Sequence, residues 1–283
     1  MKNTKIKIAW YGKHFGEEPP LVGFPLTGSS VGKRYGAGTI FFTGCNLRCV
    51  FCQNYQISQE GFGREYSVSE VADIMLELQD NGAINIDLVT PTLWWKPMRE
   101  AIIIARKSKL NIPVVWNSNA YEDLSIIQAM EGLVDIYLPD FKYMDNSLAL
   151  KYSNAPGYSG LAEQAIREMF RQVGGLRIKN GFAEKGLLLR HLVLPGYIEN
   201  SFSVLEKIAS IDKKIYLSLM SQFYPVYRSY KFPEINRRLT KEEIRAVELK
   251  RIELELENGW NQEADSDNVF LPDFRRENPF KEN

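Results

Sequence analysis

Gly36-Ala-Gly-Thr-Ile-Phe-Phe-Thr-Gly44 runs directly into Cys45-Asn-Leu-Arg-Cys49-Val-Phe-Cys52. The first part is an apolar stretch bounded by glycine, which reads as a buried strand. The second is CxxxCxxC, and it holds all three cysteines of the 283-residue chain. Thiolates are soft ligands suited to iron–sulfur clusters. Three on one loop can hold three corners of a four-iron cubane and leave the fourth iron an open position, as catalytic metal sites do. Zinc bound by three Cys and one His is the rival reading, with His14 or His191 as the fourth ligand. Structural zinc sites, however, usually pair their cysteines as CxxC. An odd, tightly clustered set of cysteines does not make a disulfide framework.

Outward from this loop, short apolar runs alternate with longer amphipathic segments. After Thr39–Thr43 the runs are Ile84–Thr90, Pro113–Asn117, Val134–Leu138, Gly186–Leu194 and Ile215–Leu219. They are rich in Ile, Val, Leu and Trp, the habit of parallel strands buried on both faces. Between them, Ser67-Val-Ser-Glu70 opens a helix with capping-box spacing, followed by Val71, Ile74, Met75 and Leu78 on one face. Lys96–Ser108, Tyr121–Met130, Ala162–Val173, Ser203–Ser210 and Lys241–Glu257 read as further helices. Six strands alternating with helices predict an α/β fold with a parallel sheet and right-handed crossovers. Six is short of the eight strands of a closed barrel, which leaves a partial (βα)6 TIM-like barrel or an open doubly wound sheet. The expected organisation is an N-terminal extension over 1–35, the barrel over 36–240, and a C-terminal helix with an acidic tail over 241–283.

In such folds chemistry gathers at the carboxyl ends of the strands. There the sequence offers the cysteine loop, Thr90-Pro-Thr92, Asn117-Ser-Asn119, Asp140-Phe-Lys142, Arg190 with Pro195-Gly196, and Ser221-Gln222. The cysteine spacing, Phe51 before the last cysteine and the missing fourth thiolate resemble the radical S-adenosylmethionine superfamily. The strand ends narrow this to a resemblance to pyruvate formate-lyase activating enzyme and its uncharacterised homologues, over roughly 36–225. Where that family has Asp-Thr-Asn-Gly, Asp-Leu-Lys and Arg followed by Pro-Gly, this chain has Asn117-Ser-Asn-Ala120, Asp140-Phe-Lys142 and Arg190 to Pro195-Gly196.

The resemblance implies the partial barrel, a [4Fe-4S] cluster on Cys45, Cys49 and Cys52, and S-adenosyl-L-methionine chelated at its open iron. It also implies reductive cleavage to a 5′-deoxyadenosyl radical that abstracts hydrogen from a substrate. Asp140, Lys142 and Arg190 are then expected at the cofactor's polar ends. Asn117, Ser118 and Asn119 lie beside it, and Phe51 lies on the adenine face. Three departures stand out. Thr90-Pro-Thr92 replaces a Gly-Gly-Glu that meets the cofactor's amino group, although the threonine hydroxyls can accept that hydrogen bond. Asn117 replaces the Asp of a cation site, and Ser221-Gln222 replaces a histidine. The implied partners are an electron donor such as flavodoxin or ferredoxin and, for an activating enzyme, a glycyl radical enzyme. Small-molecule or peptide substrates are the alternative.

Composition narrows the other classes. Lys+Arg and Asp+Glu both number 35, so no strong field draws nucleic acid or a membrane surface. Tyr224, Tyr227, Arg228 and Tyr230 form an aromatic-basic stretch, which the overall neutrality sets against nucleic-acid binding. Met1–Ile8 lacks the apolar core of a signal peptide, no run reaches transmembrane length, and the chain reads as cytoplasmic. Arg190 inside an apolar strand requires a partner, since an unpaired buried cation is costly. His191 is expected on the opposite face as a packed structural residue. The Gly12–Pro20 segment with His14 is expected either as a lid over the site or as a simple turn. The acidic tail is expected either across the barrel mouth or free of it. A non-catalytic metal-binding module and a plain electron carrier are the competing classes, the latter disfavoured by the missing fourth cysteine.

Overall fold

The computed structural model describes residues 5–16, 18–23, 35–262 and 271–280. The strands are β1 (Lys5–His14), β2 (Ala37–Phe42), β3 (Arg64–Ser67), β4 (Ile86–Val89), β5 (Val114–Ser118), β6 (Ile136–Pro139), β7 (Arg177–Lys179), β8 (Phe182–Leu192), β9 (Tyr216–Met220) and β10 (Gly259–Gln262). The helices are α1 (Pro19–Val22), α2 (Tyr55–Ser58), α3 (Val68–Asp80), α4 (Trp95–Lys107), α5 (Leu124–Ala129), α6 (Asn146–Ser153), α7 (Tyr158–Val173), α8 (Ile198–Ile211) and α9 (Lys241–Glu253). The sheet order is β10-β9-β8-β6-β5-β4-β2-β1-β3, with β7 paired to β8. From β2 to β10 every neighbouring pair on this path is parallel. The six strands read from the sequence are β2, β4, β5, β6, β8 and β9, and they form a partial barrel of the TIM type.

Both flanks of the chain add to this sheet. β1 pairs antiparallel with β2 and β3. At the other edge, Trp260 to Gln262 lie in β10, parallel to Ser218 to Met220 of β9. Of the two expectations at Gly12–Pro20, the simple turn is corrected, since Gly12 to His14 end a strand; His14, Gly16 and Glu18 border the candidate active-site cavity, and the chain beyond them turns inward. There α1 acts as a plug. Leu21 is fully buried among Val115, Ile136, Leu138 and Leu188, the inward residues of β5, β6 and β8. Its carbonyl accepts the Asn85 amide at 2.7 Å. The outward residues of the same strands, such as Trp116, Tyr137 and Leu189, belong instead to the larger core shared with the helices. This alternation is the period of two of a pleated strand, and it fixes which strand-end side chains face the interior.

Local signals agree with the elements they open. Ser67 and Glu70 form the expected capping box at α3, with Ser67 N–H donating to Glu70 Oε2 at 2.6 Å and Glu70 N–H to Ser67 Oγ at 3.3 Å. The helix expected at Tyr121–Met130 is shorter, Leu124–Ala129, and begins at an Asp123 cap. α6, absent from the sequence reading, is only eight residues long and capped by Asp145. No helix among the described residues is long and apolar enough to cross a membrane.

Candidate active site

Gly44 turns the chain off β2 with φ +91°, a left-handed conformation that glycine adopts without strain, and delivers the cysteine loop over the carboxyl ends of the strands. The three thiols line one open cavity of about 280 Å³ together with Asn117, Asn119, Asp140, Lys142 and Arg190. Each sulfur has a hydrogen-bonding neighbour. Cys45 Sγ accepts the Leu47 N–H at 3.4 Å and the Asn119 amide at 3.3 Å. Cys49 Sγ accepts the Ser153 hydroxyl at 3.0 Å, and Cys52 Sγ lies 3.2 Å from the Ser58 hydroxyl. Burial pushes the thiol of Cys45 up to about 11 and that of Cys52 up to about 12. They are therefore held as thiols until a metal displaces the protons.

The chemistry and spread of these donors suit a cluster better than a single ion. Among the described residues no three His, Cys, Asp or Glu side chains converge tightly enough to hold one metal ion. A cubane instead spreads its ligands over several irons. The zinc reading also loses His191. His191 is fully buried on the outward face of β8, with Nδ1 at 2.7 Å from the Phe141 carbonyl and Nε2 at 2.8 Å from Ser201 Oγ. It is the packed histidine expected from alternation. His14 borders the cavity but packs at a tilt on Phe280, ring centroids 4.0 Å apart, and forms no metal-holding group with the thiols among the described residues; burial pushes its pKa down to about 4.

Beside the thiols lies a chain of buried polar contacts. Asp140 accepts Arg190 Nε at 2.7 Å on one oxygen and Lys142 Nζ at 2.7 Å on the other. Arg190 Nη2 also donates to Asn117 Oδ1 at 2.6 Å, and the Asn117 amide donates to Asp87 at 3.3 Å. Burial raises the Asp140 carboxyl, yet the two cations outweigh it and hold the group below its usual range. Burial likewise opposes the Lys142 ammonium, and Asp140 outweighs it upward. Arg190 thus has the partner that its apolar strand demanded. Thr90 lines the cavity with φ +59°, an outlier for a β-branched residue, fixed by its N–H donating to the Asn117 carbonyl at 2.8 Å. Phe51 is buried against Phe223, centroids 5.5 Å apart.

Two sequence-derived residues are placed differently. Thr92 lies outside the cavity lining, and its hydroxyl donates to buried Glu122 at 2.8 Å. Ser118 borders the cavity, but its hydroxyl also turns away to Glu122 at 2.7 Å. Trp116 Nε1 donates to the same carboxylate at 3.0 Å. Glu122 is thus a structural knot behind β4 and β5. For Thr92 the expected hydrogen bond to the cofactor is corrected.

Several wall residues come from the two segments that the sequence left open between the site and solvent, the Gly12–Pro20 stretch and the C-terminal tail. Glu18, almost fully buried just ahead of α1, forms part of the lining. It accepts Trp260 Nε1 at 2.5 Å and Gln262 Nε2 at 2.8 Å. Pro272 and Phe280 of the C-terminal segment also line the cavity. That segment is anchored where the Phe274 N–H donates to Gln56 Oε1 at 2.7 Å and Gln56 Nε2 donates to Asp273 at 3.0 Å. The acidic residues at 263–270 lie outside the described residues. The Tyr224–Tyr230 stretch braces the cysteine loop: Arg228 N–H donates to the Val50 carbonyl at 2.8 Å, and Tyr227 stacks on Tyr55 at 4.8 Å.

Comparison with known proteins places this architecture. A sequence model of the Radical SAM superfamily matches residues 39–201. An uncharacterised protein of Methanocaldococcus jannaschii is 33% identical over 262 residues, covering 87% of this chain and 68% of the relative. Streptococcus suis SuiB aligns with a TM-score of 0.54 at 12% identity, over 78% of this chain and 47% of SuiB. SuiB bound to S-adenosylmethionine aligns at 0.50 with 13% identity, over 80% and 48%. A domain of pyruvate-formate lyase-activating enzyme from Bacteroides vulgatus gives 0.45 at 12% identity, over 61% of this chain and 94% of that domain. The chain spans about half the length of SuiB, and the likeness to SuiB is one of fold.

Proposed function

The chain belongs to the radical SAM superfamily, whose members use a [4Fe-4S] cluster and S-adenosylmethionine, and on that premise we propose that it generates a carbon radical for hydrogen abstraction from a small substrate. Bound together, the cluster and S-adenosylmethionine supply electron-driven cleavage to methionine and a 5′-deoxyadenosyl radical. The protein's own groups bind and orient. Cys45, Cys49 and Cys52 are the cluster ligands in this reading, and the hydroxyls and amides on their sulfurs tune its potential. Arg190 and Lys142 present positive charge for the cofactor's carboxylate. Asp140 holds both cations in place and offers the sulfonium a countercharge. Asn117 and Asn119 fix the Arg190 and Cys45 sides, and Thr90 offers its hydroxyl to the ammonium. Electrons come from a low-potential carrier such as flavodoxin or ferredoxin.

The observation that carries the reading is the convergence of three thiols, one carboxylate and two cations on a single cavity. Substrate size follows from the wall. Pro272 and Phe280 border the cavity and Glu18 closes part of it, which favours a small molecule or a short peptide. Activation of a glycyl radical enzyme, implied by the sequence resemblance, is the second reading, supported by Asp140-Phe-Lys142 and Arg190 at matching strand ends. The test is anaerobic reconstitution followed by reduction with S-adenosylmethionine present. About four irons per chain and 5′-deoxyadenosine formation, both lost in Cys49→Ala, are expected. Full iron with no cleavage and no cofactor binding would overturn the reading.

A further inference from the structure

The wall built by β9, β10 and Glu18 carries neither a thiol nor the Asp140–Lys142–Arg190 group. It contains a directed relay of hydrogen bonds. The indole of Trp260 can only donate, and it donates to one oxygen of the buried Glu18 carboxylate at 2.5 Å. The other oxygen accepts the Gln262 Nε2 at 2.8 Å, which also reaches Ser218 Oγ at 3.2 Å. With its amino side committed to Glu18, Gln262 turns its Oε1 to Gln222, and Gln222 answers with its own Nε2. That commitment fixes the second amide in turn. The Gln222 Oε1 is left as a buried acceptor with no partner among the described residues, on a side chain that lines the cavity.

A buried carbonyl oxygen without a donor has lost its bond to water and gained none in return, so such an atom on a side chain at a cavity wall marks a place where a ligand supplies the donor. The relay sharpens which donor. Burial raises the Glu18 carboxyl, opposed by Arg190 and by its hydrogen bonds from Trp260 and Gln262; its ionised form polarises each amide in line, so the terminal oxygen is more negative than an isolated amide oxygen. Beside it, Met220 and Leu192 line the same cavity and offer apolar surface. We infer that Gln222, oriented by Gln262 and Glu18, forms a substrate subsite that takes the ammonium of a small aliphatic amine, with the amine's carbon body against Met220 and Leu192. This rests on the proposed function, in which the cofactor's polar ends are held by Asp140, Lys142, Arg190 and the cluster. Gln222 is then a specificity-determining residue for the substrate. The same donor chemistry is carried by the cofactor's adenine amino group, and the experiment separates the two.

The probes are n-butylammonium, butyramide and butyrate, which share one apolar body, measured by anaerobic equilibrium dialysis against the reconstituted protein with and without S-adenosylmethionine. Retention should fall in that order, with butyrate at background. Gln222→Leu should lower n-butylammonium affinity at least tenfold, and Gln222→Glu should hold or raise it. Cofactor affinity should be the same in parent and variants. Equal retention of butyrate and n-butylammonium, or full n-butylammonium affinity in Gln222→Leu, overturns the inference. A cofactor affinity that falls in Gln222→Leu also overturns it and assigns the acceptor to adenine. If the parent retains n-butylammonium through Gln222 yet neither binds nor cleaves S-adenosylmethionine, the radical reading fails and the amine subsite stands.

Discussion

Replacing Asp140 by Asn tests the electrostatic frame of the site. In the parent, one carboxylate answers Arg190 Nε and Lys142 Nζ, both at 2.7 Å, with side-chain exposures of 17% for Arg190 and 14% for Lys142. The isosteric amide keeps the shape and removes the carboxylate that pairs with both cations. Removing one partner from a buried pair costs about 3–5 kcal/mol, because the charge left behind is uncompensated. For a chain of this size each kcal/mol moves the melting temperature by about 2–4 °C, so cluster-free Asp140→Asn should melt roughly 6–20 °C below the parent. Anaerobic scanning calorimetry measures this directly. The companion is a double-mutant cycle with Arg190→Met: in that background Asp140→Asn should cost less by at least about 1 kcal/mol, since one of the stranded cations is gone. A single variant melting within about 2 °C of the parent, or a strictly additive cycle, would refute the claim that these ions form one buried unit.

Other outcomes follow from single features. Leu21→Ala leaves a cavity inside the barrel and should cost about 2–5 kcal/mol in urea unfolding; a cost within error of zero would show that the plug is not packed. Thr90→Gly relieves a β-branched residue held at φ +59° and should raise stability by about 1 kcal/mol, the reverse of the usual glycine penalty. The same change should weaken S-adenosylmethionine binding in a titration, and lost stability with unchanged affinity would contradict both points. His191 is held down to about 4 by burial, so its contribution is present above its unfolded value near 6.5 and lost as pH falls toward 4. Between pH 7 and 5 the parent should lose about 2 kcal/mol more than His191→Asn, and parallel pH profiles would rule this out.

The sequence and the structure agree where a signal was local. The cysteine loop, the capping box at Ser67 and the six barrel strands are written in short-range patterns. Alternation within β8 also placed Arg190 inward and His191 outward. What stayed illegible depends on contacts distant in sequence. Nothing in Glu17-Glu18-Pro-Pro20 says that one carboxylate will meet an indole 242 residues away, and its Gly/Pro-rich stretch reads equally as a lid or as a turn. Thr92 went astray because its position relative to the strand end was judged without the turn at Pro91. That turn carries the hydroxyl behind the sheet to Glu122. β10 is only four residues long with two polar side chains, too short and too mixed for a strand signal.

The bond between Glu18 and Trp260 also bears on the order in which the molecule can be built. Closing a loop of that length has a large entropic cost, and contacts of such separation form late and slow the folding of the whole chain. On a ribosome the cysteine loop emerges about 200 residues before Trp260. The thiols have therefore left the ribosome long before β10 and the Glu18 relay can close the wall around them. The cavity wall is completed only when residues as late as Gln262, Pro272 and Phe280 have been made.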